Sequence, residues 1–285
     1  MATLKILSWN IEHFNGGGGI DPATKAARKN RVKDVVTFLS TQDPDIFGIS
    51  EVEGSLVFQE FTRNLPGYTF HITEGEQSQE ILIGCRNTLT AFFTQRNEFK
   101  RNNPYLRPGA LLTITVGTVD IPILFAHLKS MPSPEGFGLR DAMFEKVFNL
   151  KKALDKASKG LSGGPANFIV LGDMNTMGFD YERSDFDIPS DDEIRIITNR
   201  FKRRKMKALE KSNPTTFNNG SQSKYPKTNL DHVFAANHLD FVQQPGGFDV
   251  RVMGWAEIQN VSGQDAWIEK FSDHAPIAFE LKVPQ

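Results

Sequence analysis

Apolar residues fall in short runs: LKILSW (4–9), DIFGIS (45–50), EILIGCR (80–86), ALLTITV (110–116), IPILFAH (121–127), NFIVLGD (167–173), LDHVFAA (230–236) and APIAFEL (275–281). Each has the length of a buried strand. Helical spacing interrupts them in three places. Val32, Val35, Val36 and Leu39 recur at i, i+3, i+4, i+7, which predicts an amphipathic helix over 28–41. Met143, Val147, Leu150 and Leu154 predict another over 139–158, ended by KGLSGGP. Ile194, Ile197 and Phe201 predict a third from about 191, with PSDD as its start signal. Strands outnumber helices, and the helices come singly. That pattern fits two sheets packed face to face with helices outside, not a doubly wound parallel sheet. There is no repeat and no long linker, so one domain over 1–285 is expected.

Composition narrows the picture. With 39% apolar residues and 23 Phe, the chain can build a large core. A formal net charge of −1 gives no overall polyanion signature, so any nucleic-acid contact must come from local patches. The single cysteine, Cys85, excludes a disulfide framework and a multi-thiolate zinc site. MATLKILSWN lacks the pattern of a secretory leader, and no stretch approaches 18 apolar residues. The expectation is a soluble, cytoplasmic protein that does not engage a membrane.

Polar chemistry gathers where the apolar runs stop. LSWNIEHF places Asn10 and Glu12 there, FGISEVEG places Glu51, and LFAHLKS places His127. VLGDMN adds Asp173 and Asn175, TNLDHVF adds Asn229 and Asp231, and KFSDHAP adds Asp273 and His274. Taken alone, the Asp173–Asn175 spacing reads first as a strand followed by an Asx-type turn, and otherwise as two side chains on one strand face. Six segments each ending in a carboxylate, carboxamide or imidazole suit a site on one rim of a rigid sandwich. Carboxylates and amides are hard oxygen ligands for Mg²⁺, Mn²⁺ or Ca²⁺, and no H-E-x-x-H spacing favours zinc. A divalent ion beside imidazoles able to move protons matches metal-assisted phosphoester hydrolysis.

The segments SWNIEHF, ISEVE, AHLKS, LGDMN, NLDHVF and SDHAP, in this order from residue 4 to residue 281, resemble the endonuclease/exonuclease/phosphatase superfamily. This is the deoxyribonuclease I-like group. The resemblance implies a four-layered α/β sandwich of two mixed sheets flanked by helices, with a metal site at one edge. It implies Glu51 as the principal metal ligand, with Asn10 and Glu12 beside it and Asp273 near the metal or orienting the nucleophile. Asp173 would position or deprotonate the attacking water, and Asn175 would hold that water and a phosphoryl oxygen. His274, oriented by Asp231, would bind the scissile phosphate or take a proton. His127 matches a second histidine, and Glu80 stands where its orienting partner is expected; a solvent-facing edge charge is the alternative. Arg107 in YLRPGAL stands where relatives keep an arginine facing the phosphate.

Other features carry less. GGGG (16–19) lacks the Gly-Lys-Ser/Thr of a phosphate loop and reads as a flexible loop. RFKRRKMKALEK (200–211) holds seven Lys/Arg against one Glu, and on a helix it would either grip a polyanion or face solvent. His232 should point away from Asp231 and pack, and Trp255 and Trp267 would pack or cover the site. His13, His71 and His238 have no evident partner. The reading is therefore a Mg²⁺-dependent phosphodiesterase (Mn²⁺ as substitute), a nuclease acting on DNA or RNA. His127–Glu80 and the basic helix favour that choice. The alternative is an enzyme for inositol phosphates, phospholipid head groups or another small phosphoester.

Overall fold

The computed structural model describes residues 2–16, 21–183 and 185–284. β1 (Thr3–Asn15) leads into α1 (Pro22–Gln42), which crosses to β2 (Ile46–Glu53), parallel to β1. After α2 (Ser55–Asn64), β3 (Tyr68–Ile72) and β4 (Glu80–Arg86) widen this sheet beyond β2. A second sheet begins with β5 (Thr90–Arg96), β6 (Gly109–Val116) and β7 (Val119–His127), an antiparallel meander. α3 (Pro134–Ser162) then crosses to β8 (Ile169–Asp173), parallel to β7. α4 (Ser190–Lys202), β9 (Met206–Ala208) and β10 (Asp231–Ala236) complete the order β5-β6-β7-β8-β10-β9. The chain returns to the first sheet through β11 (Asp240–Phe241), β12 (Val250–Val252), α5 (Val261–Lys270) and β13 (Ile277–Lys282). That sheet reads β11-β13-β1-β2-β4-β3, with β12 also on β13.

Alternation along the strands builds the layers. Ile6, Ile46, Ile123 and Ile169 point between the sheets, while their chain neighbours Leu7, Phe47, Leu124 and Val170 point outward under helices. Both faces are buried, so the strands read as continuous apolar runs. Val32, Val35, Val36 and Leu39 of α1 cover one outer face; Met143, Phe144 and Val147 of α3 cover the other. The result is a four-layered α/β sandwich. The sheets approach so closely at Gly48 that a Cβ there would lie 2.2 Å from the Phe125 ring.

The helices run longer than their apolar stripes because caps set their ends. Asp21 accepts the Thr24 N–H at 2.9 Å before Pro22, and Ser133 accepts the Gly136 N–H at 3.3 Å before Pro134. Gly163, at φ +77°, closes α3.

One expectation needs correction. The basic run 200–211 is not a helix: α4 stops at Lys202, residues 203–205 form a turn, and β9 follows. Met206 pairs with Ala236, the last residue of β10, so residues 203–206 lie at the end of the sheet opposite Asp231, and the run returns to Asp231 only at Lys211. The tetraglycine, apart from Gly16, falls outside the described residues. Among the described residues, no helix is long and apolar enough to cross a membrane.

Candidate active site

β7 and β8 run in parallel and β10 runs against them, so His127, Asp173 and Asp231 stand side by side as register partners. The first sheet brings Asn10 on β1, Glu51 on β2 and the Asp273–His274 pair before β13 to the same edge. Asn10, His127, Asp173, Asn175, Asp231, Asp273 and His274 are all buried. This is the cluster expected from the strand ends, assembled across both sheets.

Its hydrogen bonds assign a geometry to each group. The Asn10 amide donates to Glu51 at 3.1 Å and to Asp173 Oδ2 at 2.9 Å. Asn175 donates its backbone N–H to Asp173 Oδ1 at 2.9 Å and its amide to Asp173 Oδ2 at 2.9 Å. The same amide also donates to Leu128 O at 3.1 Å, so its two hydrogens are engaged. Asn175 sits at φ +49°, so the two side chains meet through a buried Asx-type turn and not through strand alternation. In this arrangement Asn175 orients Asp173 and has no N–H left for a phosphoryl oxygen. Gly172, just before Asp173, has φ +127°, and a Cβ there would meet Ala126 O at 2.2 Å. The glycine of Gly-Asp-x-Asn is thus required by the close approach of β7.

His274 Nδ1 lies 2.9 Å from Asp231 Oδ2. Trp9 donates its indole N–H to His274 O at 2.9 Å, Trp255 donates to Asp273 O at 3.2 Å, and the Phe217 ring stands edge-on to the imidazole. Ser272 donates to Asn10 O and accepts the His274 N–H, tying β13 to β1. Trp267 packs on Trp9, and His232 packs among Thr176, Asn229 and Phe234.

The Glu80–His127 pair is not formed. Glu80 instead accepts from Thr73 and Gln77, each at 2.6 Å. His127 Nδ1 is buried without a hydrogen-bond partner, while Nε2 lies 3.5 Å from Asp173 and 3.7 Å from Glu51. The residue before Glu80 is the one that reaches the site. Gln79 donates to Glu51 Oε2 at 2.7 Å and accepts from Arg107. Successive residues of an extended chain face opposite ways, so a reading off by one position misses the pairing. Lys211 closes the basic run 200–211, where nothing distinguishes it from its neighbours as a residue of the site. Half-buried beside Asp231, it donates to Asp231 O at 2.6 Å and to Asn229 Oδ1.

Burial dominates the electrostatics. It raises the Asp173 carboxyl to about 7, with Asp231 adding to the rise and His274 opposing it. It raises Asp273 to about 6. Burial alone would lower His274, but Asp231 and Asp173 reverse this and raise it to about 10, so the imidazole is a cation at neutral pH. Burial and then the Arg107 charge lower His127 well below its ordinary value, so that ring is neutral. Burial opposes the charge on Glu51, yet proximity to His127 and bonds from the His13 N–H and Asn10 hold it at about 2. With His127 neutral, those two hydrogen bonds are the firmer support.

The donor set fits a hard divalent cation. Asn10 Oδ1 is buried with no hydrogen-bond partner, beside the ionised Glu51. A carbonyl oxygen in that state has the lone pairs a Mg²⁺-like ion takes, and neither thiolate nor histidine need join it. Glu51 at φ +65° and His13 at φ +46° hold left-handed backbone, a cost typical of over-determined functional positions. Asp173, Asp231 and His274 also lie close enough together to contact one ion. Glu12 is exposed and close enough to Asp273 to help raise its carboxyl.

The family model of the Endonuclease/Exonuclease/phosphatase family matches residues 7–274. The chain belongs to that family, and its sandwich is the deoxyribonuclease I-like one. Truncated TDP2 from Caenorhabditis elegans is similar at TM-score 0.61 and 18% identity, covering 99% of this chain and 98% of that one. TDP2 from D. rerio, complexed with single-strand DNA product, is similar at TM-score 0.63 and 14% identity, covering 99% and 100%. The mannosyl-6-phosphatase Bt3783 of Bacteroides thetaiotaomicron is similar at TM-score 0.59 and 15% identity, covering 98% and 100%. No curated protein matches by sequence. The family makes the chain a phosphoester hydrolase.

Proposed function

We propose that the protein is a Mg²⁺-dependent phosphodiesterase that hydrolyses nucleic-acid phosphodiester bonds by in-line attack of water. The observation that carries the chemistry is the orphaned Asn10 Oδ1 beside ionised Glu51, set against the Asp173–His274–Asp231 cluster. Asn10 and Glu51 would hold the cation, with Asp273 and Glu12 adding negative charge nearby. When bound, the cation supplies Lewis-acid stabilisation of charge on the phosphoryl oxygens. Asp173, fixed by the amides of Asn10 and Asn175, accepts the proton of the attacking water. His274, kept cationic by Asp231, donates through Nε2 to a phosphoryl oxygen, and Arg107 adds positive charge from the facing wall. His127 completes the floor as a neutral ring.

Support for nucleic acid over a small phosphoester comes from the likeness to TDP2 with its DNA product and from exposed side chains close in the chain to the proposed catalytic residues. Tyr105, Met131, Tyr181 and Tyr225 sit on loops near Arg107, His127, Asn175 and Asp231 in the chain, and all are exposed. The three tyrosine faces are of the kind that stacks on bases with little sequence preference. The second reading, a small-phosphoester hydrolase, is favoured by two facts: Glu80 does not orient His127, and Arg203, Arg204 and Lys205 of the basic run lie at the end of the sheet away from the site. Purified protein incubated with Mg²⁺, Mn²⁺ or EDTA tests both. The substrates are labelled single-stranded DNA, RNA, duplex DNA, a chromogenic diester and a panel of phosphomonoesters. Metal-dependent cleavage of a polynucleotide is expected. Turnover confined to monoesters would overturn the nuclease reading, and full activity in excess EDTA would overturn the mechanism.

A further inference from the structure

The outer side of α3 and the turn after α4 flank an open groove of about 1020 Å³. Lys152, Lys156 and Lys159 line one wall, and Arg203, Arg204 and Lys205 line the other. The groove is at the end of the sandwich away from the active site. Asp231 opens β10 at the site, and Met206 pairs with Ala236 at its far end, roughly 17 Å along the strand.

Neighbouring cations are already neutralised. Arg200 is paired with Asp141 and Glu145, and Lys151 with Asp155. Lys159 lies in the last turn of α3, where the helix dipole favours a positive charge. That accounts for neither Lys152 nor Lys156, which stand further from the helix end. Arg204 is held over the Phe148 ring at 3.9 Å. Lys152, Lys156, Arg203 and Lys205 are exposed and join no ion pair among the described residues. A chain with net charge −1 therefore concentrates uncompensated positive charge on two facing walls.

We propose that this groove binds the phosphate backbone of a nucleic-acid strand, at a second site remote from the reaction. Along α3, Lys152, Lys156 and Lys159 are spaced by about 6 and 4.5 Å at 1.5 Å per residue. A strand in a duplex presents a phosphate every ~3.4 Å of rise, and a single strand is free to extend further, so successive lysines can meet successive phosphates. The concave shape decides between polyanions. A bilayer lies on flat or protruding surfaces and does not reach both walls of a groove, whereas a strand lies between them. The proposal deepens the nucleic-acid reading above and rests on it in treating the bound strand as substrate. Binding itself is measurable without turnover.

The test is fluorescence anisotropy of the whole protein in EDTA with labelled oligothymidylate of about 30 nucleotides, longer than a typical single-strand site. Lys152→Glu/Lys156→Glu/Arg203→Glu, shown folded by an unchanged melting curve, should raise Kd at least tenfold. The slope of log K against log salt should shrink by about 2, because each phosphate neutralised on a single strand adds ~0.7 to it. Lys152→Arg/Lys156→Arg/Arg203→Lys should keep wild-type affinity and slope. An unchanged Kd and slope in the charge-reversed protein would overturn the proposal. So would weakened binding to phosphatidylserine vesicles with oligothymidylate binding intact. The two readings fail separately. Oligothymidylate bound through the groove, with hydrolysis confined to small phosphoesters, would sink the nuclease and uphold the groove. Polynucleotide cleavage with an unaltered KM in the charge-reversed protein would do the reverse.

Discussion

Asp231 and His274 are 43 positions apart in the chain and 2.9 Å apart in the fold. Their hydrogen bond has testable consequences for single residues. Asp231→Asn keeps the shape and removes the charge that holds His274 cationic, so kcat should fall on the order of 10²-fold or more, within the range of positioned acid–base groups. If the two act as a unit, Asp231→Asn with His274→Ala should be hardly slower than His274→Ala alone; additive losses would show independent roles. Stability carries a second signature. Because the folded protein raises the His274 pKa from 6.5 to about 10, it binds that proton more tightly than the unfolded chain does. The stabilisation is therefore full below pH 6.5 and is lost as the pH rises toward 10. In metal-free protein, the difference in urea midpoint between wild type and His274→Gln should shrink across that window. A difference independent of pH would mean that the ring is neutral in the folded state. If Glu51 is a metal ligand as proposed, Glu51→Gln should abolish divalent-metal-dependent turnover while leaving the melting temperature in EDTA nearly unchanged.

At the scale of elements, two loops leave the site from β7 and β8, and one buried ion pair holds both. Arg140 of α3 donates to Lys129 O and Met131 O in the first loop and to Gly178 O in the second. It also pairs with Glu193 of α4 through one guanidinium edge, Nε to Oε1 at 2.8 Å and Nη2 to Oε2 at 2.9 Å, and Glu193 accepts the Gly178 N–H. Arg140→Ala leaves Glu193 buried and unpaired and should cost about 3–5 kcal/mol in denaturant unfolding. Arg140→Met with Glu193→Leu should regain most of that stability, yet kcat should stay low because three loop carbonyls and one N–H lose their partners. Recovery of both would make the pair purely structural. Neither residue was legible as functional, because a lone Arg on a helix is ordinarily a solvated charge. The row of polar residues at the candidate site was legible because β1, β2, β7, β8 and β10 are buried on both faces and end abruptly in polar residues. β3 and β5 were missed for the opposite reason: Phe92 and His71 sit on half-exposed sheet edges where apolar runs dissolve. β9, β11 and β12 have two or three residues each, too few to show a period. α2 and α5 escaped because their buried faces are short: Val57 and Phe61 in α2, no fully buried residue in α5.

At the scale of the whole molecule, the site belongs to neither sheet. Asn10, Glu51 and His274 come with the first, and His127, Asp173 and Asp231 with the second. Their mutual placement depends on the apolar layer between the sheets, and most strongly on its catalytic end. There Phe125, two residues before His127, presses on Gly48 of the facing sheet, which leaves no room for even one added carbon. Ile121 occupies the same layer at the other end of β7, beside Ile114. Truncating either to Ala removes a fully buried side chain and should destabilise by about 2–5 kcal/mol. The catalytic consequences should differ. Phe125→Ala lets the sheets shift beside the reacting groups, and a displacement near 1 Å is enough to cost on the order of 10²-fold in rate. Ile121→Ala opens its cavity at the far end and should leave kcat close to wild type at a temperature where both variants are folded. Measuring melting temperature and kcat on the same two proteins separates the effects. Equal losses of kcat would mean that the intersheet layer transmits strain along its whole length, and unchanged kcat in both would mean that the hydrogen-bonded rim holds the site without it.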